Sequence, residues 1–203
     1  MSKKSIIVFE GIEGTGKSHH INNVAKYLKK KNIKFIKIRE PGGSKNSEKI
    51  RKIILSNKST FNNDTDLLLY LAARSENIEL IKKNIGKKII LIDRFSDSTI
   101  AYQHFGMGIN LKFINNINNF LLKGINIDFT FLNTVNQKNM KKRLMKRRSL
   151  NRYDKFDNKF YAKVQKGFLK IVRENPKKYI KIDSNLDINH NEKIILNKVN
   201  NLI

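Results

Sequence analysis

The sequence contains no cysteine or tryptophan, only two prolines and few acidic residues. Without cysteine there is no disulfide and no thiolate metal site, and the redox compartment is not constrained. No apolar run approaches the ~18 residues of a membrane span, and the run after the basic residues 1–4 stops at Glu10, too short for a signal peptide. With 203 residues, these absences predict one soluble cytoplasmic domain over residues 1–203.

The scarcity of acids leaves a formal net charge of +25, from 42 lysines and arginines against 17 aspartates and glutamates. Taken alone, this charge suggests a polyanionic partner such as nucleic acid. However, lysine outnumbers arginine 33 to 9 and is spread along the whole chain, which is typical of A/T-rich coding composition. We therefore interpret most of the charge as background, and its functional share as attraction for anionic nucleotides.

The most specific motif present covers residues 11–18. The apolar run at residues 5–9 leads into Gly-Ile-Glu-Gly-Thr-Gly-Lys-Ser, which fits the GxxxxGK[ST] phosphate-binding loop. In such a loop the backbone N–H groups surround phosphate oxygens, the Lys17 ammonium adds positive charge, and the Ser18 hydroxyl ligates Mg²⁺. An ordinary glycine-rich strand-to-helix turn is the alternative.

Short β-branched runs alternate with stretches of helical period along the chain. Strands are predicted at residues 5–10, 34–39, 88–93, 128–133 and 179–183. Helices are predicted at residues 17–31, 48–56, 64–84, 97–105, 111–123, 137–149, 154–175 and 191–202. This alternation predicts an α/β domain with a mostly parallel five-stranded sheet, helices on both faces and ligands at the carboxyl ends of the strands.

Asp93 and Arg94 end the predicted third strand. An acid at this position is where nucleotide-binding sheets hold Mg²⁺, and the planar guanidinium beside it suits a phosphate. The alternative is a strand-end ion pair.

Tyr70 and Arg74 are four residues apart and share a helix face, which suits stacking on a nucleotide base and hydrogen bonding to its edge. Their alternative is a core contact plus a solvated charge.

Two further segments carry polar side chains at suggestive spacing. Thr99, Tyr102 and Gln103 form an i, i+3, i+4 stripe, with a plain polar helix face as the alternative. Residues 141–152 contain four of the nine arginines, namely Arg143, Arg147, Arg148 and Arg152. Such a segment suits a lid that closes over a transferred phosphoryl group. It would also suit a solvated basic helix or an RNA-binding patch.

Taken together, these motifs resemble bacterial thymidylate kinase. The likeness runs in order from residue 5 to about 183. It rests on Phe9-Glu10-Gly11-Ile12-Glu13-Gly14-Thr15-Gly16-Lys17-Ser18, Arg39-Glu40-Pro41-Gly42-Gly43, Leu69-Tyr70-Leu71-Ala72-Ala73-Arg74, Asp93-Arg94-Phe95, Ala101-Tyr102-Gln103 and Asn151-Arg152-Tyr153-Asp154.

The resemblance implies a P-loop NTPase fold with three α/β/α layers and a short arginine-rich lid at about residues 141–154. It also implies Mg²⁺-assisted phosphoryl transfer from ATP to dTMP, in dTTP synthesis, by a homodimer. The implied ATP-binding residues are Gly11, Ile12, Glu13, Gly14, Thr15, Gly16, Lys17 and Ser18. The implied substrate-binding residues are Glu13, Arg39, Tyr70, Arg74, Arg94, Thr99, Tyr102 and Gln103. The implied catalytic residues are Lys17, Arg94, Arg147 and Arg152, and the implied metal ligands are Ser18 and Asp93.

Individual roles follow from the same resemblance. Tyr70 would stack on thymine and Arg74 would contact its edge, with Thr99 and Gln103 helping to read the base. Glu13 would approach the sugar 3′-hydroxyl, Tyr102 would lie against the sugar, and Arg94 would bind the acceptor phosphate. The chain departs from the family pattern at His104 and Met107, where glycine and arginine are common.

Three other functions fit parts of the sequence. A kinase for another nucleoside monophosphate or a deoxynucleoside would keep the loop and the lid. A GTPase-type switch would be expected to carry an Asn-Lys-x-Asp motif, which the sequence lacks. A non-enzymatic nucleic-acid-binding protein would rest on the charge alone.

Overall fold

The computed structural model describes residues 4–203 and contains one five-stranded sheet. The strands are β1 (Ile6–Glu10), β2 (Phe35–Arg39), β3 (Ile89–Asp93), β4 (Phe129–Thr134) and β5 (Tyr179–Asp183). The α-helices are α1 (Lys17–Lys30), α2 (Lys45–Leu55), α3 (Asn63–Asn84), α4 (Ser96–Thr99), α5 (Leu111–Leu121), α6 (Gln137–Met145), α7 (Asn158–Glu174) and α8 (Ile188–Asn200). A π-helix (Ile100–Gly106) continues α4, and 3₁₀ turns cover Tyr153–Lys155 and Pro176–Lys178.

The strand order is β2-β3-β1-β4-β5, and every pairing in this sheet is parallel. The predicted α/β class with five strands and helices on both faces is thereby confirmed, and the sheet is fully rather than mostly parallel. Phe9 pairs with Asp93, which in turn pairs with Arg39. Because the carboxyl ends of parallel strands share one edge, the polar residues that follow β1, β2 and β3 meet there.

The central strand β1 is buried along its whole length and supplies both faces of the core. Ile7 and Phe9 pack into a cluster with apolar residues of α1 and α8, whereas Ile6 and Val8 face a second cluster that includes Ile78 of α3. A continuous apolar strand of this kind needs helices on both sides. The three layers follow directly from that requirement.

Helix boundaries differ from the sequence-based prediction where local capping or packing overrides the hydrophobic period. Helix α2 begins at Lys45, earlier than predicted, because the Ser44 side chain accepts a hydrogen bond from the Ser47 N–H at 3.2 Å. The predicted helix 154–175 begins only at Asn158, where Asp157 caps it through the Phe160 N–H at 2.7 Å.

The predicted helix 97–105 is only partly α-helical. After Thr99 the backbone widens into the π-helix, in which the Met107 N–H donates to the Tyr102 carbonyl at 3.0 Å. Widened turns of this kind are frequent at functional sites. Here the π-helix carries Tyr102 and Gln103, both buried.

No helix of the described part of the chain is long and apolar enough to cross a membrane. The prediction of one domain over residues 1–203 includes residues 1–3, which lie outside the described residues. The single-domain organisation and the homodimer stay predictions.

The π-helix packs closely against α7 at Gly167. A Cβ atom added at this glycine would lie 2.5 Å from Cδ2 and 2.9 Å from Cβ of Phe105. These separations are shorter than van der Waals contact, so only glycine permits the observed approach of the two helices. Since the π-helix carries Tyr102 and Gln103, which are predicted to bind substrate, this contact supports the predicted site as well as the core.

We expect Gly167→Ala to lower the free energy of unfolding by about 1–3 kcal/mol, because the new methyl group collides with the Phe105 ring. Urea denaturation measures this loss. In a Phe105→Ala background the same substitution should cost little, since the colliding ring is gone and alanine favours the helix. An equal loss in both backgrounds would rule out this collision as the cause.

Candidate active site

The phosphate-binding loop connects β1 to α1 and is held tightly against β4. Gly11 has φ +135°, and a Cβ atom there would lie 2.1 Å from the Asn133 carbonyl oxygen. The Lys17 ammonium donates to the carbonyl oxygens of Gly11 at 2.8 Å and Ile12 at 2.9 Å. Burial, together with the Arg94 charge, lowers the pKa of Lys17 to about 8. Lys17 is thus a buried cation that is held within the loop, at the start of α1.

Arg94 links the phosphate loop to the end of β3. Its Nη1 donates to the Gly11 carbonyl oxygen at 2.7 Å, and its Nη2 donates to Glu13 Oε1 at 2.8 Å. The Tyr102 hydroxyl donates to the other Glu13 oxygen. Burial alone would raise the pKa of Glu13, but the charges of Arg94 and Lys17 lower it. Arg94 therefore pairs with the loop acid across the site rather than with its neighbour Asp93.

Glu10 anchors the segment that carries Arg94, a role that sequence reasoning missed. The Glu10 carboxyl group is fully buried and accepts from the N–H groups of Phe95 at 2.7 Å and Ser98 at 3.2 Å. It also accepts from the Ser98 hydroxyl at 2.5 Å, and that hydroxyl lies 3.4 Å from Arg94 Nη1. Burial, with a contribution from Asp97, raises the pKa of Glu10 to about 8. Its place at the end of β1 was visible in the sequence, but its partners 85–88 residues away were not.

The residues predicted to bind magnesium lie together. The Ser18 hydroxyl donates to Asp93 Oδ2 at 3.3 Å, and both residues line a cavity over the phosphate loop, which we call the phosphate cavity. Hydroxyl and carboxylate oxygens are the hard ligands that Mg²⁺ prefers, and Mg²⁺ commonly takes one or two protein ligands with the rest from phosphates and water. Within residues 4–203, no cluster of three His, Cys, Asp or Glu side chains is arranged to hold a metal alone. Ser18 and Asp93 therefore fit a magnesium ion that is shared with substrate phosphates.

A second, smaller pocket adjoins the phosphate loop. Arg74 lines this pocket and is buried. The Arg74 Nε donates to Glu40 Oε2 at 2.8 Å, and its Nη1 donates to Asn118 Oδ1 at 2.7 Å. The guanidinium lies over the Phe95 ring, 5.3 Å from its centroid. Arg74 is thus a fixed, buried cation rather than a solvated charge. Glu40 and Asn118 are its supports, and sequence reasoning assigned no role to either.

Three buried polar atoms that line this pocket lack hydrogen-bond partners among residues 4–203. They are Glu40 Oε1, Thr99 Oγ1 and Gln103 Nε2. A buried polar atom left unpaired costs about 1–3 kcal/mol. Their convergence on one pocket is typical of a site that pairs with the polar edge of a planar ligand.

The pocket opens into a larger cavity of about 200 Å³ over the phosphate loop. Residues that line both spaces are Glu13, Glu40, Tyr70, Arg94 and Tyr153. Tyr70 meets Tyr153 edge to face, with ring centroids 5.7 Å apart. The two spaces therefore form one continuous site, cationic at one end and narrow with polar atoms at the other.

Arg39 and Arg51 bring further positive charge to the phosphate cavity. Arg39 forms a two-point ion pair with Glu48, at 2.9 and 2.8 Å. Arg51 donates from Nη1 to the Pro41 carbonyl oxygen at 2.5 Å. Arg39 was predicted from the sequence, whereas Arg51 lies in an otherwise ordinary helical stretch and gave no signal.

The arginines of the arginine-rich lid (residues 141–154) take different positions. Arg147 lines the phosphate cavity and pairs with Asp154. Arg152 instead pairs with Asp66 and donates from Nε to the Ile54 carbonyl oxygen at 3.1 Å. Arg143 ties α6 to the Gly14 and Ser184 carbonyl oxygens, and Arg148 is exposed. Of these four, Arg147 is the one that the structure brings to the cavity.

We expect the free energy of unfolding to fall between pH 5.5 and pH 8, in part because of Glu10. Its pKa is raised from 4.5 to about 8 in the folded protein, so the folded state binds this proton more tightly than the unfolded state. The stabilisation is fully present below pH 4.5 and is lost as the pH rises through 8. In Glu10→Gln this contribution is absent.

The expected slope from one such group is at most about 1.4 kcal/mol per pH unit. Urea denaturation of wild type and Glu10→Gln over this interval measures it, with the exposed Glu79→Gln as a matched control whose offset should stay constant. A Glu10→Gln offset that does not change with pH would contradict the raised pKa.

Comparison with known proteins gives one consistent result. The family model described as thymidylate kinase matches residues 9–195. A thymidylate kinase of Mycoplasma capricolum subsp. capricolum is 40% identical over 205 residues, which cover 95% of this chain and 95% of that protein. A thymidylate kinase of Sulfurihydrogenibium sp. is 37% identical over 196 residues, again 95% of each chain. The crystal structure of thymidylate kinase from Ehrlichia chaffeensis matches with a TM-score of 0.80 at 30% identity, covering 98% of this chain and 99% of that one. The chain belongs to the thymidylate kinase family.

Proposed function

We propose that the protein transfers the terminal phosphate of ATP to the 5′-phosphate of dTMP, giving ADP and dTDP for dTTP synthesis. The observation that carries the proposal is the continuous site. It joins a cationic phosphate cavity to a narrow pocket lined by the unpaired atoms of Glu40, Thr99 and Gln103. A nucleoside monophosphate has the same two-part chemistry, since a polar planar base is joined to a dianionic phosphate.

In this proposal the narrow pocket holds the base. The Tyr70 ring supplies an aromatic face, and the buried Arg74 guanidinium supplies donors to a carbonyl on the base edge. Thr99 and Gln103 complete the reading of that edge. A wrong base would leave buried polar groups of the pocket without hydrogen bonds. The free-energy cost of these unpaired groups would favour binding of thymine over other bases.

The sugar and acceptor phosphate would lie where the two spaces join. In this arrangement Glu13 would accept from the sugar 3′-hydroxyl, and the Tyr102 ring would lie against the sugar. Arg94 lies between the two spaces, which suits binding of the acceptor phosphate. Its guanidinium stays fixed by the Gly11 carbonyl and by Glu13, so little reorganisation is needed when the phosphate binds.

The donor phosphates would lie on the loop from Gly11 to Ser18. Lys17 and Arg147 match the charge that spreads over the transferred phosphoryl oxygens. Ser18 and Asp93 would hold Mg²⁺, which when bound neutralises charge on the donor phosphates. Exclusion of water falls to the lid, which brings Arg147, Asn151 and Tyr153 to the cavity wall.

We expect the purified protein to release ADP from ATP with dTMP as acceptor, and far more slowly with dCMP or dGMP. The base pocket carries buried polar atoms of Glu40, Thr99 and Gln103, so a base with a different edge leaves them unpaired. A coupled ADP-release assay over dTMP, dUMP, dCMP, dGMP and thymidine measures this preference. Preferred turnover of another monophosphate, or of thymidine itself, would contradict the proposed substrate.

The lid arginines give a second expectation. Arg147→Ala should lower kcat about 10²–10³-fold. Its loss of stability should be smaller than that of Arg152→Ala, because the buried Asp154 carboxylate keeps hydrogen bonds from the Asn151 N–H at 3.0 Å and the Asn151 side-chain amide at 2.7 Å. Arg152→Ala should instead lower the free energy of unfolding by about 2–4 kcal/mol, since it leaves the Asp66 carboxylate buried without its ion pair.

Steady-state kinetics and urea denaturation separate the two effects, with the exposed Arg148→Ala as a control that changes neither. A large loss of kcat in Arg152→Ala without loss of stability would identify Arg152 as the catalytic lid residue instead.

A further inference from the structure

A cleft beside the phosphate loop lies between α7, β5 and the start of α6. Its volume is about 710 Å³, within the range of small-molecule sites. It shares no lining residue with the base pocket or the phosphate cavity. We call it the α7 groove, and its apolar lining comes from Ile12, Val135, Tyr161, Ala162, Leu169 and Val172.

Three cations surround this apolar lining. Lys166, Arg173 and Lys181 all line the groove and are exposed. Within the described residues 4–203, none of the three has a carboxylate within 4.0 Å. The groove therefore has an apolar interior and an uncompensated positive rim.

The groove does not have the features of a second nucleotide site. The Val135 N–H is already bonded to Gln165 Oε1 at 3.1 Å, and none of the glycines of the phosphate loop lines the groove. The apolar side chains favour burial of a ligand's hydrocarbon part, and the rim charges attract an anionic group at the mouth of the groove.

We propose that the α7 groove binds a small carboxylate with an apolar body, of the fatty-acid type. The hydrocarbon lies along Val135, Leu169 and Val172, and the carboxylate lies among Lys166, Arg173 and Lys181. A ligand so placed lies against one residue of the phosphate loop and one residue that is bonded to the lid. Ile12 belongs to the phosphate loop, and the Tyr161 hydroxyl donates to the Tyr153 carbonyl of the lid at 2.6 Å.

The test uses the whole protein and the fluorescent dye 1-anilinonaphthalene-8-sulfonate, an apolar anion whose emission rises in apolar sites. We expect saturable binding of about one dye per chain, displaced by decanoate below its micelle concentration. Lys166→Glu should weaken dye binding about three- to tenfold through loss and reversal of one rim charge. Ala162→Phe should weaken it at least about tenfold, because the ring fills the groove.

Lys163→Glu is the matched control, since it makes the same charge change on the exposed surface of α7 outside the groove. We expect its dye affinity to stay within about twofold of wild type. Circular dichroism and thermal unfolding verify that all variants are folded.

Four outcomes would overturn the proposal. Equal weakening by Lys163→Glu and Lys166→Glu would assign the binding to general surface charge. A dye affinity that is unchanged by Ala162→Phe would show that the dye binds outside the groove. Failure of decanoate to displace the dye would exclude the fatty carboxylate. A dye stoichiometry that falls as protein concentration rises would show that a second copy of the chain covers the groove.

Discussion

The ion pair between Glu13 and Arg94 joins the phosphate loop to the end of β3. Both side chains are largely buried, with exposed fractions of 11% and 17%. Charges so placed are stable only when paired and hydrogen-bonded, so this pair fixes the loop and the strand end in one arrangement. Tyr102 completes it by bonding to Glu13 and lying under the Arg94 guanidinium, 5.1 Å from ring centroid to Cζ. Glu13 and Arg94 line both the narrow pocket and the phosphate cavity, and Tyr102 lines the narrow pocket.

The scarcity of acids makes their placement informative. Although the chain carries only 17 acidic residues, four buried ones pair with four arginines at or beside the site. These pairs are Glu13–Arg94, Glu40–Arg74, Asp66–Arg152 and Asp154–Arg147. Each acid fixes the direction of one guanidinium. In a chain with so many cations, a buried acidic partner therefore identifies the arginines at or beside the site better than the density of positive charge does.

Much of the fold could be predicted from the sequence, because the information is local. Apolar β-branched runs gave the five strands, and the glycine spacing gave the phosphate loop. The strand-end positions of Glu10, Arg39 and Asp93 predicted that one edge of the sheet holds the site. The Arg94–Glu13 contact was not predictable in this way, since its partners are 81 residues apart. The same holds for the Glu10 anchor and for Asn118, which supports Arg74 from 44 residues away.

Other differences reflect packing rather than sequence distance. The π-helix arises where the chain must present Tyr102 and Gln103 while packing against Gly167, and no helical period encodes that widening. Arg147 and Arg152 were equivalent catalytic candidates in the sequence, and the three-dimensional positions of Asp154 and Asp66 separate them.

The most direct test of this account is the turnover of Arg94→Ala with ATP, magnesium and dTMP. Because Arg94 connects the phosphate loop to both parts of the site, we predict a loss of kcat of about 10²–10³-fold, with circular dichroism that still shows the folded α/β domain. Turnover like that of wild type in a folded Arg94→Ala variant would contradict the central role given to the Glu13–Arg94 pair.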